Sequence, residues 1–274
     1  MFSECKARID VDFVKTFYLE KHCVVTLSRP EKRNAFNPQM IEELTSTFAS
    51  LSAQSELRAI ILKGDGKSFC AGADLDWMKS MVEYSEAENI ADSNRLFDMF
   101  YTLHECAIPI ISIVHGHVMG GGTGIVAASD IVIAEASTQF AFSEVKLGLA
   151  PATISPFILS RINANDAHRF LLTGERFSAS KAREMGLVTE AVEGEEIEDL
   201  QNYFLKNFYE NGPQAVNATK GLLNIFEAGI LETKDYTSRV IAERRVSEEG
   251  QQGLRGFIEN RSVPWKTKYE VDPK

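Results

Sequence analysis

Residues Ile110-Ile-Ser-Ile-Val114 run straight into His115-Gly-His-Val-Met-Gly-Gly-Gly-Thr-Gly124, and this passage decides the fold. The first five residues are a continuous apolar run of strand length, as expected of a strand buried on both faces of a parallel sheet. Three consecutive glycines then open a stretch of small residues, 121–129, that reads as a helix with uncovered N-terminal amides. The loop lacks the Lys-Ser/Thr ending of a phosphate loop, and its spacing is not that of a dinucleotide fingerprint. His115 and His117 lie two apart without a third ligand at suitable spacing, so they read as loop residues and no metal site is expected.

Upstream, Ala59-Ile-Ile-Leu62 is a second buried run, ended by Gly64-Asp-Gly66 and followed by Ser68-Phe-Cys-Ala-Gly-Ala-Asp74. The small residues Ala71, Gly72 and Ala73 let a ligand approach the backbone, and Asp74 suits the N-cap of a helix beginning near Leu75. Alone, this segment reads equally well as a tight turn with no ligand. Two such loops, each after a buried strand, suggest a two-donor oxyanion hole. Downstream, Phe142-Ser-Glu-Val-Lys-Leu-Gly-Leu-Ala-Pro151 sets Glu144 in apolar sequence. Burial would raise its pKa and suit it to acid/base work; a helix-entry Glu, or one paired with Lys146, is the blander reading. Trp77 and Met78 could line an acyl pocket or simply belong to the core.

Around these loops the period alternates between strand and helix. Residues 14–28 read as a hairpin turning at Glu20-Lys21-His22, and Pro38–Leu51 and Ala87–Cys106 carry helical spacing. Ile131–Ala134 and Gln139–Phe142 look like short strands. Beyond Ser155 strand signals almost vanish, and Ser180–Leu187, Glu195–Tyr209, Gln214–Phe226 and Thr233–Ser247 have helical spacing. The order is α/β over the first 150 or so residues, then mostly helix.

The chain has 274 residues, 44% hydrophobic and 25% charged, the balance of a globular protein. A net charge of −10 gives no reason to expect nucleic-acid or anionic-membrane binding. Cys5, Cys23, Cys70 and Cys106 show neither CxxC nor zinc-ligand spacing, which predicts reduced thiols. With no apolar leader and no run of bilayer-spanning length, a soluble, cytoplasmic protein is expected.

Arg29-Pro-x-x-x-Asn-Ala35, Cys70-Ala-Gly-Ala-Asp74, Gly120-Gly-Gly122, Ser129-Asp130, Leu172-Thr-Gly-Glu175 and Glu249-Gly-x-x-Gly-Leu-x-x-Phe257 stand in the order and spacing of the enoyl-CoA hydratase/isomerase, or crotonase, family. The chain resembles that family from about residue 13 to 266. The resemblance implies a spiral of ββα units over residues 1–200 and a C-terminal helical region, 201–274, used for trimer contacts. It also implies a homotrimer or homohexamer acting on acyl-CoA, with coenzyme A as part of the substrate and no further cofactor.

The resemblance further implies that Ala73 and Gly121 donate the oxyanion-hole amides, within a substrate site that includes Ala71, Asp74, Trp77, Met78, Gly120 and Gly124. Lys32 and Arg33 match the region that holds the cofactor's phosphates, and Phe257 an aromatic packing near its adenine. Asn260, beside Arg261, stands where some relatives have a basic residue. Family hydratases often carry two glutamates; here Glu144 matches one and Gly124 stands in place of the other.

Asp74-Leu-Asp-Trp-Met78, Ser143–Leu149 and Pro151-Ala-Thr-Ile-Ser-Pro156 resemble a bacterial methylglutaconyl-CoA hydratase subgroup. That implies hydration of 3-methylglutaconyl-CoA to 3-hydroxy-3-methylglutaryl-CoA in leucine breakdown, with Glu144 as acid/base. Gly124 would leave space for the C3 methyl, and Lys79, Thr153 and Ser155 are candidates for the distal carboxylate. An enoyl-CoA isomerase, a dehydratase of carrier-bound acyl groups and a non-catalytic oligomeric binding protein are the alternatives. No matched Asp nucleophile suggests dehalogenation or thioester hydrolysis.

Overall fold

The computed structural model describes residues 7–19, 21–226 and 234–263. Cys5, Glu20 of the expected turn and Thr233 at an expected helix start lie outside them. The strands are β1 (Ala7–Asp10), β2 (Val14–Tyr18), β3 (His22–Leu27), β4 (Ala59–Gly64), β5 (Ile110–Val114), β6 (His117–Met119), β7 (Ile131–Glu135), β8 (Gln139–Ala141), β9 (Phe177–Ser178) and β10 (Glu190–Val192). Between and after them run the helices α1 (Pro38–Ser52), α2 (Leu75–Met81), α3 (Glu86–His104), α4 (Gly121–Ala128), α5 (Ser155–Leu159), α6 (Ala164–Thr173), α7 (Ala179–Glu184), α8 (Ile197–Glu210), α9 (Pro213–Phe226), α10 (Lys234–Val246) and α11 (Glu248–Ile258).

The hairpin forms as its spacing predicts, with Val14 opposite Leu27 and Tyr18 opposite Cys23. From β3 onward the large sheet is parallel, in the order β1-β2-β3-β4-β5-β7-β10. Parallel strands need cover on both faces, and the alternation along β4 shows how it is supplied. Ile60 and Leu62 join the main core with Met40, Leu44 and Phe48 of α1 and Phe97 and Phe100 of α3. Ala59 and Ile61 face the other way, with Ile111, Ile133 and Leu205, against Phe204 and Phe208 of α8. A second sheet, β6-β8-β9, stands beside the first.

Local chemistry places the helix starts. Asn37 caps α1 by accepting from the amide of Met40, and Ser85 and Glu88 close a capping box on α3. Helix α8 runs unbroken across residue 200 and packs on β7.

The structure also holds elements the periodicity does not predict. Strands β6, β9 and β10 have three residues or fewer, too short for an alternating pattern. Strand β1 is an edge strand with Ile9 exposed, so it carries no core signal. Cys23, Cys70 and Cys106 are buried and free. Among the described residues no helix is long and apolar enough to cross a membrane.

Candidate active site

The two small-residue loops meet. Loop 68–74 is stitched on one side to β6, through Cys70 N to the His117 carbonyl (3.1 Å) and Met119 N to the Cys70 carbonyl (3.0 Å). On the other side Phe36 N donates to the Gly72 carbonyl and Asp74 N to the Phe36 carbonyl, both at 2.7 Å. Successive amides of an extended chain point to opposite sides. With Gly72 and Asp74 both turned toward Phe36, the amide of Ala73 is turned away, and no described residue accepts from it.

The second amide comes from a helix start. Gly120 N donates to the Ala141 carbonyl, and Gly120, at φ 50°, turns the chain into α4. Gly121 is the first helical residue, and its N–H has no intrahelical or other described acceptor. Glycine is demanded here by contact: a Cβ at Gly121 would stand 2.9 Å from the ring of Phe36, and one at Gly122 2.9 Å from Cβ of Cys70. At Gly116, φ is 64° and a Cβ would lie 2.1 Å from the Lys67 carbonyl.

Glu144 lies over this junction. It opens a 3-10 turn, Glu144–Leu147, after β8, and the turn ends at Gly148 in the left-handed region. A Cβ on Gly120 would be 3.4 Å from Oε1 of Glu144 and 4.0 Å from Cα of Gly72. Oε2 is buried with no hydrogen-bond partner, and no described cation pairs with the carboxylate, Lys146 included. Burial pushes the carboxyl up to about 7, opposed by a hydrogen bond from its own amide. Helix α11 presses on the same turn: a Cβ at Gly253 would lie 2.0 Å from the Leu147 carbonyl, so only glycine allows this approach.

All three sit on a cavity of about 1210 Å³. Ala71, Asp74, Trp77, Met78, Gly120 and Thr153 also line it, as do Lys32, Arg33 and Phe257. Trp77 and Met78 are buried, whereas Phe257 is exposed. Asp74 has a structural job. It accepts from Asp76 N at 2.7 Å as the α2 cap, and its Oδ2 lies 2.9 Å from Nη1 of Arg29 and 3.9 Å from Nζ of Lys32. Arg29 also donates to the Ala35 carbonyl, tying the segment beside Phe36 to the cap behind Ala73. Cys70 is no nucleophile, since burial holds its thiol up at about 12.

Three expectations are corrected. Gly124 does not line the cavity and leaves no space for a substrate methyl: a Cβ there would meet Cζ of Phe100 at 2.7 Å and Cγ2 of Ile154 at 2.8 Å. The volume next to that helix position is taken by the Phe100 ring. Lys79 lies outside the lining and pairs with Asp76 at 3.0 Å. Ser155 is also outside it, its hydroxyl donating to the Ala152 carbonyl as α5 begins. The residue overlooked is Arg245, a buried arginine of α10 in the cavity wall. The sequence holds little signal for it, because the buried side of α10 also carries Thr237 and Ser238 and so forms no apolar stripe.

The enoyl-CoA hydratase/isomerase family model matches residues 20–268. The short-chain-enoyl-CoA hydratase of Clostridium acetobutylicum is 30% identical over 246 residues, 89% of this chain and 93% of that protein. The (E)-benzylidenesuccinyl-CoA hydratase of Thauera aromatica is 31% identical over 249 residues, 88% of this chain and 94% of that one. Among solved structures, an enoyl-CoA hydratase from Shewanella pealeana superposes with a TM-score of 0.77 at 36% identity, covering 93% of this chain and 97% of that chain. One from Mycobacterium avium gives 0.81 at 29% identity, covering 94% and 100%. With this match over most of its length and a fold of the same kind, the chain belongs to the enoyl-CoA hydratase/isomerase family of enzymes.

Proposed function

We infer that the enzyme adds water reversibly to 3-methylglutaconyl-CoA, giving 3-hydroxy-3-methylglutaryl-CoA. The observation that carries the chemistry is the buried, unpaired carboxylate of Glu144 over a junction where the amides of Ala73 and Gly121 have no acceptor. A thioester oxygen set between those amides would receive the electrons displaced when water attacks C3. Glu144 takes the proton of the attacking water as the C3–O bond forms and the π electrons move to the thioester oxygen. The enolate then collapses and C2 takes the proton back from Glu144, for a net gain of one water. A carboxyl near 7 is suited to both halves of that exchange.

The acyl group is argued from likeness. The stretches 74–78, 143–149 and 151–156 resemble the methylglutaconyl-CoA hydratase subgroup, and one relative acts, by its name, on (E)-benzylidenesuccinyl-CoA. Lys32, Arg33 and Phe257 at the cavity's exposed margin would take the coenzyme's phosphates and adenine. Assembly as a trimer or hexamer belongs to the same reading, supported by Tyr203, Leu222 and Leu223 exposed on α8 and α9, and light scattering tests it.

One observation favours a second reading. With Gly124 closed off by Phe100, no second carboxylate stands at that position, and a lone Glu144 also suits isomerisation, carrying a proton between C4 and C2. Incubation with 3-methylglutaconyl-CoA, crotonyl-CoA and a 3-enoyl-CoA, products resolved by mass, separates the two. A gain of one water on the branched diacid thioester supports hydration. A moved double bond at constant mass supports isomerisation, and no reaction with any of the three removes both.

A further inference from the structure

The cavity wall is chemically uneven. Its exposed margin carries Lys32 and Phe257, whereas its buried part is Met78, Met81, Leu96 and Ile241, all under a tenth exposed. Arg245 stands in that apolar part at 6% exposure. A guanidinium in such surroundings is costly unless its donors are used.

They are used incompletely. Nη1 reaches Oδ2 of Asp92 and Oγ of Ser93, each at 3.3 Å, long for charge-assisted bonds. Nε has no acceptor. Asp92 is shared, since its Oδ1 lies 3.0 Å from Nη2 of Arg95. Asp92 is thus divided between the buried Arg245 and the exposed Arg95. Besides Asp92, the phenol of Tyr84 also acts on Arg245. Burial pulls the Arg245 pKa down, yet an arginine keeps its charge at neutrality. An ion pair clamping α3 to α10 accounts for Nη1. It does not account for the idle Nε in an apolar wall.

We propose that Arg245 is a carboxylate subsite in the buried wall of the cavity and selects acyl chains that end in a carboxylate. The assignment rests on the acyl-thioester reading above and goes beyond it by naming the group that recognises the far end of the chain. The planar fork of a guanidinium takes a carboxylate through two donors, which a neutral methyl terminus does not use. Discrimination of this type is large, because a buried donor left unpaired is itself penalised.

The test uses saturated thioesters, which bind without reacting. Succinyl-, glutaryl- and adipyl-CoA are titrated into the full-length protein by calorimetry against butyryl-, pentanoyl- and hexanoyl-CoA. At the best chain length the carboxylated member should bind at least about tenfold more tightly than its neutral counterpart. Arg245→Met should bring that ratio close to one, and Arg245→Lys should retain part of it. Should Arg245→Met fail to fold, the wild-type ratio and Arg245→Lys decide. A wild-type ratio near one at every chain length, or a ratio unchanged by either variant, overturns the subsite. Neutral thioesters binding as well as carboxylated ones removes the subsite and leaves the thioester reading intact, whereas no binding of any thioester removes both.

Discussion

The two loops that present free amides both use backbone bonds and a positive-φ glycine, Gly72 at φ 97° and Gly120 at φ 50°. They differ in what else braces them. The Ala73 loop is fixed by polar partners: backbone bonds to Phe36 and β6, and the Arg29–Asp74 ion pair behind the α2 cap. The Gly121 loop is fixed by shape, with glycines at 116, 120, 121 and 122 where a Cβ would strike a neighbour or φ is positive. A polar-braced loop can carry a side chain at the donor position, and does, in Ala73. A loop braced by close approach cannot. The same task, aiming one N–H, therefore leaves two unlike marks on the sequence.

The largest expected effect falls on the group both loops serve and spares the loops themselves. Glu144→Gln should lower turnover about 10²–10⁴-fold, the usual worth of a positioned acid/base. Its melting temperature should not fall; a variant within about tenfold of wild type would remove Glu144 from the chemistry. Next, Asp74→Ala breaks the polar brace. It strands Arg29, which is little exposed, and uncaps α2, for a loss of about 3–5 kcal/mol by denaturant melts. Thioester affinity should fall with it, and a loss below about 1 kcal/mol would mean that the backbone bonds alone hold Ala73.

Proton linkage comes third. The Glu144 pKa is raised on folding from 4.5 to about 7, so the unfolded chain ionises first. Its stabilising share is fully present below about pH 4.5 and is lost as pH climbs through 7. The whole span is about 3 kcal/mol. The stability difference between wild type and Glu144→Gln, followed from pH 4.5 to 8, should move against wild type, and a flat difference would contradict the raised pKa. The smallest effect belongs to the shape-braced loop. Gly122→Ala sets a methyl against Cβ of Cys70 and should cost about 1–3 kcal/mol. A cost near zero would show the second loop to be as adaptable as the first.

This contrast explains what was legible in the sequence. Buried parallel strands announce themselves as apolar runs, so β4 and β5 could be read, and with them the loops that follow. The glycines were legible because close approach tolerates nothing larger. Asp74 as a cap was legible, since capping is local. The ion pair of Asp74 with Arg29 was not, because it joins residues 45 apart (74 − 29) through a bridge between Phe36 and Ala73 that no periodicity encodes. Gly124 was misread for a related reason. A missing side chain looks like room until the ring that fills it, Phe100 on another helix, is placed. Arg245 went unread because its meaning depends on which wall α10 completes.

Helix α11 meets the Glu144 turn through the backbone of Leu147 at Gly253, 109 residues later (253 − 144). On a chain still being made, β8 and the turn emerge well before the helix that presses on them. At roughly 5–20 residues per second that interval is about 5–20 s. During it the parallel sheet can form while the acid's seat stays open, so a nascent chain acquires its shape before its reactivity. Among the described residues, α11 is the final element to reach the Glu144 turn.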